Sequence, residues 1–145
     1  SMPITPTRLL QLFQRLRKYY YHQFDPLLER TSLSMREIHV LLFLANNPQC
    51  DTARDIAALR ELSKSQVSQA VDLLAAEGLL LRTPDREDRR IVHLSITPRG
   101  EPLARECQRL QVQCGRRLLE GLSPEERTQF LGLMETVLEH GAHLM

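Results

Sequence analysis

The sequence lacks most of the features that announce chemistry. Only three cysteines occur, Cys50, Cys107 and Cys114, an odd number without a CxxC pair. That pattern excludes a disulfide-stapled scaffold and a zinc finger, and points to a reducing cytosol. No apolar run approaches the ~18 residues of a bilayer span, and no secretion-signal core is present. The expectation is therefore a cytoplasmic protein with no membrane partner. A Gly-rich phosphate loop, a nucleophile elbow and a paired-carboxylate site are all missing, so the chain is not expected to be an enzyme. The five histidines (22, 39, 93, 140 and 143) show no tight ligand spacing beyond His140 and His143. No metal and no cofactor are expected. Internal repeats and low-complexity segments are absent too, and the leading Ser1-Met2 reads as a cleavage scar.

What is present is ordinary in amount and unusual in arrangement. At 145 residues, with 42% hydrophobic and 26% charged side chains, the chain suits one globular domain that buries roughly two-thirds of its unfolded surface. The net charge of +1 says nothing about partners. Its distribution says more: residues 1–50 hold six basic and three acidic side chains, residues 51–100 eight of each, and residues 101–145 five and seven. Any polyanion must be met by local concentrations of charge. Of the 19 basic residues only Lys18 and Lys64 are lysine. Arginine's planar fork suits bidentate phosphate and base contacts, although GC-rich coding favours it as well.

Helix starts are legible. Ser or Thr followed three residues later by an acid or Gln forms a capping box, which satisfies orphan N–H groups. The pattern recurs in SMRE (34–37), TARD (52–55), SKSQ (63–66) and SPEE (123–126). Six helices follow: from about Thr7, with Pro26 breaking or restarting it; residues 34–46, with Ile38, Leu41, Leu42 and Ala45 inward; 52–60, with Ile56 and Leu59 inward; 63–77, with Val67, Val71, Leu74 and Ala75 inward; Pro98 towards Glu120; and Pro124 towards His143. Gly78 ends the fourth.

Between the fourth and fifth helices the apolar period drops from 3.6 to 2. Val92, Leu94 and Ile96 face one way, and Ile91, His93 and Ser95 the other, so LLLR and IVHLSI form a hairpin. Its tip interleaves arginines 82, 86, 89 and 90 with Asp85, Glu87 and Asp88. Two short helices joined by LREL, the second followed by a hairpin, describe a winged helix-turn-helix. The expected fold is mainly α with a small β-hairpin wing. The exposed face of the second helix is then Lys64, Ser65, Gln66, Ser68, Gln69 and Asp72, opened by the cap Ser63. Gln can pair with adenine, Ser with base edges or phosphate, and the helix N-terminus favours a phosphate. Arg89 and Arg90, with Arg86, are placed to reach a narrow, negative minor groove. Asp85 and Asp88 are expected to hold them by ion pairs.

These residues resemble the MarR family of regulators over about residues 5–143. LSMREIHVLLFLA, LSKSQVSQAVDLLAAEGLLLR and DREDRRIVHLSITPRG correspond to its second helix, its recognition helix with the first wing strand, and its wing. Asp85, Asp88 and Arg90 fit the Asp-x-x-Asp-x-Arg pattern. The resemblance implies a sequence-specific transcription regulator binding double-stranded DNA, a homodimer on a palindromic operator, a repressor's role, and release by a small, aromatic effector. It implies dimerisation through residues 3–32 and 98–143, DNA binding through 33–97, and a ligand near Tyr19, His22, His39 and Phe43. Many relatives carry Arg at the place of Gln69 and a basic residue at that of Leu73. Their absence shifts phosphate anchoring to the wing and to Arg36 and Arg54. The family's peroxide sensors place a reactive cysteine in the first helix, where this chain has none.

Competing readings accompany each feature. The Tyr19-Tyr20-Tyr21 run points in three directions, and dimer packing explains it as readily as a ligand does. Cys107 and Cys114 stand about 10 Å apart along one helical face, too far for a disulfide within it. They read as core residues, with a cross-subunit bridge as the alternative. A winged-helix module that docks protein rather than DNA is the second functional hypothesis.

Overall fold

The computed structural model describes residues 3–60 and 62–144. Ser1 and Met2, Glu61 of the LREL junction and Met145 lie outside the described residues. The order of elements is α1 (Pro6–His22), α2 (Asp25–Glu29), α3 (Met35–Asn46), α4 (Ala53–Arg60), α5 (Lys64–Ala76), β1 (Leu80–Pro84), β2 (Val92–Ile96), α6 (Glu101–Leu118) and α7 (Pro124–Gly141). The chain divides into two compact units, one up to Gln111 and one from Val112. No helix among the described residues is long and apolar enough to cross a membrane.

The helices begin where short polar side chains can cap them. In α5, Ser63 N donates to Gln66 Oε1 at 2.9 Å and Gln66 N to Ser63 Oγ at 3.0 Å. The same reciprocal pair joins Ser123 and Glu126 at the head of α7, and Thr52 and Asp55 at the head of α4. Each cap is worth about 1 kcal/mol. At α1 the cap is Thr5, whose Oγ1 accepts from Arg8 N at 3.2 Å ahead of Pro6. Pro26 does restart the chain, opening α2.

In the first unit α3, α4 and α5 pack together and the hairpin closes on them. Phe24, Leu27, Ile38, Leu41, Ile56, Val67, Leu74, Leu80 and Leu94 form the core, each contributing roughly 1.5–3 kcal/mol when fully buried. Leu59, expected inward, does not belong to it, and neither does Val92, which shares a strand face with Leu94. Leu59 is 63% exposed, whereas Ile56 is buried and Ala57 packs partly buried against the core. Val92 is 37% exposed, lying at the tip end of β2, beyond the reach of the helices. Ala45 and Ala75 are half-buried, whereas Ala70 is fully buried.

The hairpin is antiparallel, with Leu80 opposite Ile96 and Pro84 opposite Val92. Its exit differs from the expected helix start at Pro98: α6 begins at Glu101 and residues 98–100 form a turn. Thr97 is the cause. Its carbonyl accepts from Gly100 N and Glu101 N, its amide donates to Leu79 O, and its hydroxyl donates to Gly78 O at 2.6 Å. The wing is thus stitched to the end of α5, where Gly78 takes φ +74°. Gly100 is the tightest point: a Cβ there would lie 2.5 Å from Leu79 O and 3.0 Å from Ile96 Cγ2. Gly100→Ala is expected to lower stability by about 1–3 kcal/mol or more through overpacking. In Gly115→Ala the added Cβ meets nothing within 4 Å, so that variant should gain up to ~1 kcal/mol. Urea unfolding of the two variants checks the contrast.

Candidate DNA-reading surface

The second helix of the motif turns its apolar stripe, Val67, Ala70, Val71 and Leu74, into the core. The stripe leaves Lys64, Ser65, Gln66, Ser68, Gln69 and Asp72 exposed together, with Ser63 at their head. Three of these already have work in the fold. The carbonyl oxygen of Gln66 caps its own helix. Asp72 pairs with Arg82 of β1, fastening the wing to the helix. Gln69 Oε1 accepts from Arg36 Nη1 at 2.7 Å. Lys64, Ser65 and Ser68 carry no side-chain hydrogen bond among the described residues.

The wing tip is organised by its acids, though not in one uniform way. Asp88 takes Arg90 in a two-pronged pair, Nε to Oδ1 at 3.1 Å and Nη2 to Oδ2 at 3.0 Å, and also accepts from Arg90 N. Asp85 holds no arginine. Its Oδ2 accepts from the amides of Glu87 and Asp88 at 3.1 and 3.0 Å, folding the turn, while Oδ1 meets His93 Nε2 at 2.8 Å. The expected ion pairing of Asp85 with arginine is therefore corrected: backbone N–H groups two and three residues on are nearer than any guanidinium. Arg86 and Arg89 are exposed and have no hydrogen bond or ion pair among the described residues. Arg54, near the start of α4, is likewise exposed.

His93, which strand alternation marks only as one member of a face, joins the wing to the helical part. Its Nδ1 meets Asp51 Oδ1 at 2.8 Å while Nε2 meets Asp85, so the ring clamps the wing tip to the segment before α4. Hydrogen bonds to Asp85 and Asp51 raise its pKa above the ordinary 6.5. The Asp85 carboxyl is held down at about 2, first by His93 and then by the two loop amides. The imidazolium contributes fully below about pH 6.5, and its contribution is lost as pH rises through the higher folded value. Asp85 contributes above its unfolded pKa of about 3.9, and that is lost as pH falls towards 2. The clamp should be tightest between about pH 4 and 6.5. Amide exchange at Glu87 and Asp88, corrected for intrinsic rates, is expected to quicken from pH 6 to 8.5, and His93→Gln should flatten that dependence.

The four candidate ligand residues have different surroundings. Phe43 is buried in the core, His22 is exposed and pairs with Asp25, and Tyr19 is half-buried. His39 instead gathers Tyr21 and Arg60. A guanidinium can only donate, so Arg60 Nη2 donates to His39 Nδ1 at 2.7 Å. That leaves the Nε2 hydrogen to face Tyr21 Oη at 3.4 Å. Arg17 lies 5.1 Å from the Tyr21 ring centroid. Burial, then Arg60 and Arg17, depress the His39 pKa to about 4, which keeps the ring neutral. Cys107 and Cys114 are free and buried. Burial raises both thiols, Cys107 to about 11, so neither is a ready thiolate.

Comparison with known proteins gives this arrangement a lineage. Residues 31–91, from the turn before α3 to the wing, match the MarR family. That segment is MarR-like, and the similarity extends to whole chains. The HTH-type transcriptional regulator PecS of Dickeya dadantii is 25% identical over 97% of this chain and 86% of its own length. A MarR transcriptional regulator from Methanosarcina mazei superposes with a TM-score of 0.80 at 18% identity, over 96% of this chain and 99% of that one. FabT of Streptococcus pneumoniae, solved in complex with DNA, superposes at 0.77 with 18% identity, covering 97% and 100%. The fold is thus the winged helix of those MarR regulators, and the proteins this chain resembles are transcriptional regulators rather than enzymes.

Proposed function

We propose that this MarR-type regulator acts as a homodimer on an inverted repeat. Two copies of α5 enter successive major grooves and the wing arginines lie against the flanking backbone and minor groove. The observation that carries the reading is the pairing of one exposed polar face, Lys64, Ser65, Ser68 and Gln69, with a hairpin tip whose Arg86 and Arg89 have no partner among the described residues. Cations left unpaired on an ordered loop suit phosphate, where each contact releases counterions. Arg36 and Arg54 extend the basic surface. The FabT complex with DNA supports the same use of the shared fold.

Residues 3–32 and 98–143 supply the dimer contacts in this reading. Leu9, Leu10, Leu12 and Phe13 of α1 are each at least 44% exposed, and α1 has no buried residue. In the second unit, α7 likewise buries none and exposes Leu131, Leu133, Val137 and Leu138. Apolar faces of this size mark an association surface. The dimer acts as a repressor, because a body clamped across two grooves occludes that duplex. A small aromatic effector releases it from a site around His39, flanked by Tyr21 and Arg60. Such a ligand works only by binding the non-reading conformer better.

Selection from a random duplex pool tests the reading. An enriched inverted repeat, with half-sites about one helical turn apart and affinity falling steeply with salt, is the expected result. Recovery of no repeat would leave protein docking as the use of this winged helix.

A further inference from the structure

The chain of hydrogen bonds that ends at Gln69 begins in the core. Glu37 is 1% exposed, and its Oε1 accepts from Ser34 N at 2.9 Å and Ser34 Oγ at 2.8 Å. Its Oε2 accepts from Arg36 Nε at 2.8 Å. Arg36 Nη1 then donates to Gln69 Oε1 at 2.7 Å, across 33 residues of sequence. A buried carboxylate thus fixes a guanidinium, and the guanidinium fixes an amide on the exposed face of α5. Glu37 stays charged, its pKa lowered by Arg36 and Ser34 against the opposing effect of burial.

The orientation of that amide follows from chemistry alone. A guanidinium has five N–H donors and no acceptor, so only the carbonyl end of Gln69 can face Arg36. The Nε2 end carries two N–H donors and makes no hydrogen bond among the described residues. Glutamine's usual pairing with adenine needs both ends at once, Oε1 accepting from N6 and Nε2 donating to N7. Here one of the two lone pairs of Oε1 is already engaged by Arg36, so the guanidinium competes with adenine N6 for the accepting end. What remains beside it is a free Nε2 donor and the unspent N–H groups of Arg36, whose side chain is 34% exposed. Two donors side by side fit guanine, whose N7 and O6 both accept, and oppose adenine, whose N6 donates.

We infer that Arg36 is a specificity-determining residue which, anchored by Glu37, holds Gln69 as a donor and directs it to guanine rather than adenine. This rests on the DNA-reading function proposed above. Arg36 acts through Gln69 as a positioning residue, and not only as a phosphate anchor.

The test first locates the base pair whose preference disappears in Gln69→Ala, using duplexes from the selection. Affinities for the four base-pair variants at that position are then measured for wild type, Arg36→Met, Arg36→Lys and Gln69→Glu, each checked for folding by thermal melting. Wild type should favour guanine over adenine by about tenfold or more. Arg36→Met should bring that ratio close to one or turn it towards adenine. Arg36→Lys keeps the charge but loses the planar bridge, so it should relax the same ratio while leaving the salt dependence unchanged. Gln69→Glu, which has only acceptors, should lose the guanine preference even if the Arg36 variants fail to fold. A wild type that prefers adenine there would overturn the inference. So would Arg36 variants that bind all four duplexes equally less well, with one contact fewer in the salt slope and the ratio intact. If wild type selects no sequence at all, the DNA-reading proposal itself fails, and that outcome is distinct from both.

Discussion

Replacing Arg86 and Arg89 together by alanine is expected to weaken binding to the selected duplex roughly 10–100-fold near 0.1 M salt, and to flatten its salt dependence. The argument is electrostatic. Both guanidinium groups stand on a loop already folded by Asp85 and Asp88, and neither is paired among the described residues. They reach DNA without first surrendering a protein contact. Each phosphate contact contributes about −0.9 to the slope of log affinity against log salt, so losing two should remove nearly two units. Relative preference among bases should change little, since phosphate contacts position rather than specify. Arg90→Ala should act differently. That guanidinium is bound two-pronged to Asp88, so its loss should disorder the turn and remove less than one full contact from the slope. Fluorescence anisotropy titrations at four salt concentrations separate the cases, and an unchanged slope in the double variant would place the wing away from the duplex.

A larger effect is expected from charge placed on α1. Leu12→Asp with Phe13→Asp should yield a monomer at micromolar concentration and reduce affinity for the inverted repeat about 1,000-fold or more, towards the non-specific level. These side chains are 44% and 52% exposed and belong to a helix with no fully buried residue. The folded first unit should survive, since its core lies elsewhere. What is lost is the association that puts two reading helices on one duplex. Equilibrium sedimentation beside a melting curve distinguishes a folded monomer from an unfolded chain. A variant that stays dimeric would move the association surface away from α1.

The parts of this structure that could be read in advance are those governed by neighbours a few residues apart. Ser63 with Gln66, Ser123 with Glu126 and Thr52 with Asp55 are local geometry, and each helix starts where its cap stands. The change of period at the wing is local as well. Missed features depend on distance in sequence or on the reach of the core. Leu59 obeys the helical period, yet α4 turns Ile56 and Ala57 to the core and leaves Leu59 exposed. Val92 keeps the alternation of a strand that has outrun the helices beneath it. The site shows the same division. Exposure of Ser65, Ser68 and Gln69 follows from the stripe on the opposite face. The bond from Arg36 to Gln69 spans 33 positions and that from His93 to Asp51 spans 42. No pattern in the string announces either. Sequence neighbourhood pairs Asp85 with the arginines, whereas the fold gives it backbone amides and a histidine.

The central claim is geometric: two copies of α5, held by one dimer, meet one face of a duplex. Inserting base pairs between the two halves of the selected repeat tests it most directly. A five-base-pair insertion turns the half-sites to opposite faces, and affinity should fall to that of an unrelated duplex. Equal affinity for the original and the five-base-pair spacing would show that the halves are bound independently, and would contradict the account.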